Sequence, residues 1–111
     1  MENQLITTLT SELRRGTLIL CVLSQLNEAK YGYALVQCLE DKGIAIDANT
    51  LYPLLRRLEK QELLISEWVL CDSKPRKYYR RTSFGDEIYQ QLREHWETMY
   101  QSVEGLLKEG E

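Results

Sequence analysis

A chain of 111 residues, 43% hydrophobic and 28% charged with only two prolines, has the composition of one folded domain, which excludes a disordered segment and two separate functional domains. No run approaches the roughly 18 apolar residues of a membrane span, and Glu2 stands ahead of Leu5-Ile6 where a secretory leader would be basic, so no membrane partner and a cytoplasmic location are expected. The formal charge of −3 is an average over unequal parts: net −2 for residues 1–47, +4 for 48–83 and −5 for 84–111. A polyanion would choose the middle segment.

From Leu9 to Leu26 apolar residues are too dense for a one-sided surface helix, which predicts a central first helix. Asn27 to Lys30 reads as a loop. Tyr31-Gly32-Tyr33 opens a second helical pattern through Leu35, Cys38 and Leu39, and Gly43 is its stop. Leu51, Leu54, Leu55 and Leu58 recur at i, i+3, i+4 and i+7, the stripe of a third helix. Asp47 or Asn49 can cap it. Pro53 fits only a first helical turn, which sets the expected start near residue 49 or 50.

Leu64 to Leu70 and Lys77 to Thr82 have strand texture around a turn-rich Cys71 to Arg76, a predicted β-hairpin. Strand alternation sends Tyr78 and Tyr79 to opposite faces, one to the core and one outward, without saying which. Thr82 or Ser83 then caps a long helix running to about Leu107. On it Ile88, Leu92, Trp96, Met99, Val103 and Leu106 follow the spacing of a dimerisation seam. The fold class is therefore α+β, mainly α: a winged helix-turn-helix unit over residues 1–83 and a C-terminal dimerisation helix over 84–111, packed as one body.

A helix-turn-helix protein lays the start of its second helix in the major groove. Opposite the leucine stripe, the third helix carries Asn49, Pro53, Arg56 and Lys60, flanked by Tyr52 on one side and by Thr50 and Arg57 on the other. Arg and Asn can pair with base edges, whereas Thr, Tyr and Lys reach phosphates. Lys74, Arg76, Lys77 and Arg80 on the hairpin extend the candidate DNA surface. The competing reading is a solvated helix face, on a winged-helix module that binds proteins or serves assembly without specific DNA binding.

Catalysis finds no foothold. The single histidine, His95, lies between Glu94 and Glu97 on a helix, and no phosphate-binding loop, metalloprotease or hydrolase motif occurs. Three cysteines without a C-x-x-C pair suit neither a disulfide framework nor a metal site, so no cofactor is expected; Cys21 and Cys38 read as core filler, and Cys71 sits by the turn.

Leu13-Arg14-Arg15-Gly16-Thr17-Leu18, Tyr31-Gly32-Tyr33, the stretch from Thr50 to Lys60, Lys77-Tyr78-Tyr79-Arg80 and Thr82-Ser83-Phe84-Gly85 together resemble PadR-family repressors, over roughly residues 10–90. The resemblance implies a homodimer on a palindromic operator, joined through its first and last helices. It further implies a repressor released by a small molecule, and in the short branch with one final helix some members bind flat apolar compounds at the dimer interface. Trp96, with Leu92 and Tyr100 nearby, is the candidate surface for a planar aromatic effector. Three positions depart from the family pattern: Gln61-Glu62 replaces a glycine after the third helix, Pro75 occupies a turn that is often glycine-rich, and Arg81 stands where an apolar residue is preferred.

Overall fold

The computed structural model describes residues 2–111. Its elements are α1 (Glu2–Arg15), α2 (Leu18–Ser24), β1 (Lys30–Tyr31), α3 (Gly32–Asp41), α4 (Ala48–Lys60), β2 (Leu64–Cys71), β3 (Lys74–Arg81) and α5 (Ser83–Glu109). This is a mainly helical winged-helix fold. The single helix expected from Leu9 to Leu26 is two, because the chain turns at Gly16 and Thr17, where the Thr17 hydroxyl and amide both donate to the Arg14 carbonyl.

Helix α4 starts at Ala48, ahead of the expected position, because the Asp47 carboxylate accepts a hydrogen bond from the Thr50 amide at 2.9 Å. Pro53 consequently lies in the second turn and removes one helical bond, at a cost of up to about 3 kcal/mol. Full burial of Leu51, Leu55 and Leu58 offsets it, at about 1.5–3 kcal/mol for each side chain. The core gathers Val22, Leu23 and Leu26 from α2, Leu35 and Leu39 from α3, that α4 stripe, and Leu63, Leu64 and Tyr79 from the base of the hairpin. Tyr79 is thus the core tyrosine, and Tyr78 faces outward.

The sheet is antiparallel in the order β1-β3-β2. Lys30, expected in a loop, and Tyr31, expected to open the second helix, form β1 by pairing with Tyr79 and Tyr78. The hairpin turn is also tighter than expected, with only Asp72 and Ser73 between the strands, at φ of 50° and 66°. Two successive positive φ values match the twist of a tight hairpin, which ordinarily selects Asn-Gly. Pro75 is therefore a strand residue opposite Leu70, tolerated because β1 reaches only Tyr78 and Tyr79 and leaves β3 an edge at that point.

Helix α5 is capped by the Thr82 hydroxyl, which accepts from the Gly85 amide at 2.9 Å and donates to the Glu62 carbonyl at 2.7 Å. Gly85 has no room for a side chain: a Cβ there would meet the Leu63 carbonyl oxygen at 2.1 Å. Arg81 is accommodated by three partners. Its Nη1 donates to the Leu23 carbonyl at 2.7 Å, its Nε to Asp86 at 2.8 Å, and its guanidinium lies 4.4 Å from the centre of the Tyr89 ring. Ile88 and Leu92 pack on the protomer's own core, whereas Trp96, Met99, Val103 and Leu106 farther along α5 are exposed. Leu5, Ile6, Leu9 and Leu13 leave α1 with an exposed apolar face as well.

Candidate nucleic-acid interface

The α4 stripe that builds the core also fixes what the helix presents. Asn49, Thr50, Tyr52, Arg56, Arg57 and Lys60 are all exposed, as the leucine spacing requires. They do not share one surface. Tyr52 and Arg56 line a groove shared with Tyr31, Gly32 and the inner face of the hairpin, while Thr50 and Arg57 line another beside Arg15 and Leu18. Gly32 lets the Tyr52 ring lie where a Cβ would stand, so a side chain at residue 32 would displace that ring. That close approach seats the ring across the start of α3.

Pairing registers divide the hairpin's cations. Lys77 and Pro75 stand opposite Trp68 and Leu70 and share their face, while Lys74, Arg76 and Arg80 alternate to the other. Arg76 stacks on that same face, its guanidinium 4.5 Å above the Tyr31 ring, which pairs with Tyr78 and meets it edge-on at 5.4 Å, and from there it borders the groove. Arg80 remains apart, beside Ile65, Glu67 and Tyr78 on the outer face. Lys77 lies 3.5 Å from Glu59, whose other oxygen accepts from Ser66, so this lysine also ties the hairpin to α4. Near the turn, the Tyr78 hydroxyl is 3.7 Å from the Cys71 sulfur, a contact that raises the phenol's pKa.

Trp68, Tyr31 and Gly32 belong to the groove and escaped assignment as site residues. Strand alternation could have found Trp68, since its direct opposite is Lys77. Around Trp96 the arrangement also differs from expectation. Tyr100 stacks on Trp96 at 5.5 Å, while the groove that Trp96 lines runs between α2 and α5 past Leu20, Cys21, Tyr89 and Arg93, and takes in neither Leu92 nor Tyr100. Cys21 and Cys38 are half-buried; burial raises the Cys21 thiol pKa, partly countered by its hydrogen bond with Thr17. Among the described residues no cluster of metal ligands occurs, and no helix is long and apolar enough to cross a membrane.

The model of the PadR-like transcriptional regulator family matches residues 19–91, from α2 into α5. The chain belongs to the PadR-like family. That family is one of transcriptional regulators rather than an enzyme class. A crystal structure of a PadR family regulator from Eggerthella lenta is 52% identical, covers 96% of this chain and 95% of that one, and superposes with a TM-score of 0.90. A PadR-like transcription factor from Bacteroides fragilis is 33% identical with a TM-score of 0.74, over 89% of this chain and 98% of its own. A transcriptional regulator of Mycobacterium tuberculosis is 36% identical over 75 residues, which take in 68% of this chain and 70% of that protein. The PadR-like fold thus extends over nearly the whole chain, α5 included.

Proposed function

We propose that this PadR-like regulator is a homodimeric repressor that binds a palindromic operator and is released by a planar aromatic effector. The observation that carries the reading is the exposed face of α4, where Tyr52 and Arg56 open onto a groove that Arg76 and Lys77 make cationic. Residues 1–83 are the DNA-reading unit and 84–111 the dimerisation arm, acting in the cytoplasm without catalysis. Asn49, Arg56 and Lys60 face the bases or the adjoining backbone, and Lys74, Arg76, Lys77 and Arg80 supply phosphate contacts from the hairpin.

The apolar faces of α1 and of α5 beyond Leu92 support the dimer, since together they leave Leu9, Leu13, Met99, Val103 and Leu106 in water. Two half-sites one helical turn apart would place the recognition helices about 34 Å from each other. The aromatic walls of the Trp96 groove suit a flat ligand, and its seat against both α2 and α5 lets binding bear on the junction that joins the arm to the DNA-reading unit.

Gel shifts with duplex DNA across a salt series test the reading. Saturable binding whose logarithm falls with log salt by about 0.9 per neutralised phosphate supports it. Absence of binding at low salt would leave the alternative, a winged-helix module for protein interaction or assembly. For the effector, saturable quenching of tryptophan fluorescence by a planar aromatic compound should disappear in Trp96→Ala.

A further inference from the structure

The side of the hairpin that faces α4 is the wrong one for a purely electrostatic wing. Lys74, Arg76 and Arg80 leave from the opposite face, and of these only Arg76, stacked over Tyr31 on that face, borders the groove. Toward α4 the sheet instead shows Trp68, 66% exposed, then Leu70, 72% exposed, with Pro75 directly across from Leu70. Trp68, Leu70 and Pro75 form a contiguous exposed apolar strip, with the Lys77 ammonium 6.0 Å from the centre of the indole ring. The indole is not stranded at random, because its neighbours in the groove are Arg56, Arg76 and Lys77.

The chemistry of this groove is specific. Cations flank an apolar plate, no carboxylate among the described residues lines the groove, and Glu59, which pairs with Lys77, also accepts from Ser66. A sugar–phosphate strand has the complementary layout, with anionic phosphates on either side of a deoxyribose whose C–H face is apolar. A protein partner offering an acidic side chain would satisfy the cations and leave the indole uncovered.

We infer that Trp68 is a DNA-contacting residue: its indole covers a deoxyribose of the operator strand whose phosphates are held by Arg56, Arg76 and Lys77. The inference rests on the DNA-binding reading and adds a contact that carries no charge. Its signature is therefore an affinity term that salt does not remove, on a wing otherwise governed by counterion release. Leu70 and Pro75 continue the apolar edge toward the turn, so the strand is followed by shape as well as by charge.

Duplex DNA of random sequence and, separately, an operator-containing duplex are titrated into the wild-type protein, Trp68→Ala and Trp68→Phe. Trp68→Ala should bind about tenfold more weakly, a loss of about 1.4 kcal/mol, with the salt slope unchanged. Trp68→Phe should recover most of the affinity, and the fluorescence change that DNA produces in the wild type should vanish in that variant, leaving only Trp96. Because Trp68 is exposed, thermal melting of all three proteins should agree. Equal affinity of Trp68→Ala and wild type, or the same fluorescence change in wild type and Trp68→Phe, would overturn the contact while DNA binding itself stands. A weaker complex with a reduced slope would also overturn it, assigning the indole to holding Lys77 in place. If the wild type binds no duplex at low salt, the DNA-binding reading fails and the contact with it.

Discussion

Glu62→Gly should stabilise the protein, although glycine is ordinarily a costly residue. Glu62 ends α4 with φ at 66°, and around it the Glu62 amide donates to the Glu59 carbonyl and the Leu63 amide to the Leu58 carbonyl. This is the helix ending in which a left-handed residue is normally glycine. Holding a residue with a Cβ there costs about 1–2 kcal/mol. A negative side chain beside the helix C-terminus adds about 0.3 kcal/mol when exposed. Against these, glycine gives the unfolded chain extra freedom worth about 0.4–1 kcal/mol. The balance favours Glu62→Gly by roughly 0.3–2 kcal/mol, centred on about 1 kcal/mol or about 4 °C in melting temperature for a chain of this size. Melting at a fixed protein concentration, needed because association shifts the midpoint, provides the measurement. Glu62→Ala is the control: it removes the charge and keeps the Cβ, so its gain should be no more than the charge effect. Equal stabilisation by alanine and glycine would refute the conformational argument.

Gly85→Ala should destabilise severely, by more than about 2 kcal/mol, because its Cβ would meet a backbone oxygen that can move only if the α5 cap opens; urea unfolding measures it. Arg56→Ala should lower affinity for duplex DNA by about 1–3 kcal/mol if it pairs with a base, and Lys77→Ala should weaken all sequences alike, both read by gel shift at constant salt. Val103→Glu should dissociate the dimer without unfolding the protomer, since Val103 is exposed there while Leu92 packs on the core, and sedimentation at micromolar concentration would expose a wild-type monomer if the seam is misassigned. Burial raises the Cys21 pKa, so the folded state holds that proton more tightly: stability is whole below the ordinary thiol range and falls as pH rises through it, and alkylation at Cys21 should lag behind that of an unfolded control at pH 8.

What the sequence made legible was whatever a single element decides for itself. The leucine spacing of α4 follows from one helix against one core, and it correctly set Tyr52, Arg56 and Lys60 outside. The hairpin and the long last helix were legible for the same reason. Features decided by two elements were not. Lys30 and Tyr31 have no strand pattern of their own and become β1 only because Tyr78 and Tyr79 of β3 offer them an open edge. Pro53 and Pro75 were judged by local rules, yet each is outvoted by its surroundings, the capped and buried stripe in one case and an unpaired strand edge in the other. The break at Gly16 was hidden because apolar density continues across it, and periodicity does not register a turn between two apolar faces.

Arg81 shows why the junction between wing and arm could not be deduced from a list of exposed and buried types. A charge near the core of a small domain is tolerated only when every direction is answered. Here the Leu23 carbonyl answers from α2, Asp86 and the Tyr89 ring from α5, and the Arg81 amide itself donates to the Leu26 carbonyl at 2.8 Å. One residue later, the Thr82 amide donates to the Leu63 carbonyl and its hydroxyl to that of Glu62, just past α4. Two consecutive residues therefore fasten the ends of α2, α4 and β3 to the start of α5. The direction of the arm is set by the same bonds that set the exit of the recognition helix, so α5 cannot turn as a lever without carrying α4 or breaking this knot. An apolar residue at position 81 would fill the space but release the side-chain ties to the Leu23 carbonyl and Asp86, leaving the backbone bond to Leu26 and the Thr82 bonds to hold the junction. The arginine is thus the physical reason α5 is held to the end of α2, while Thr82 holds it to the exit of α4.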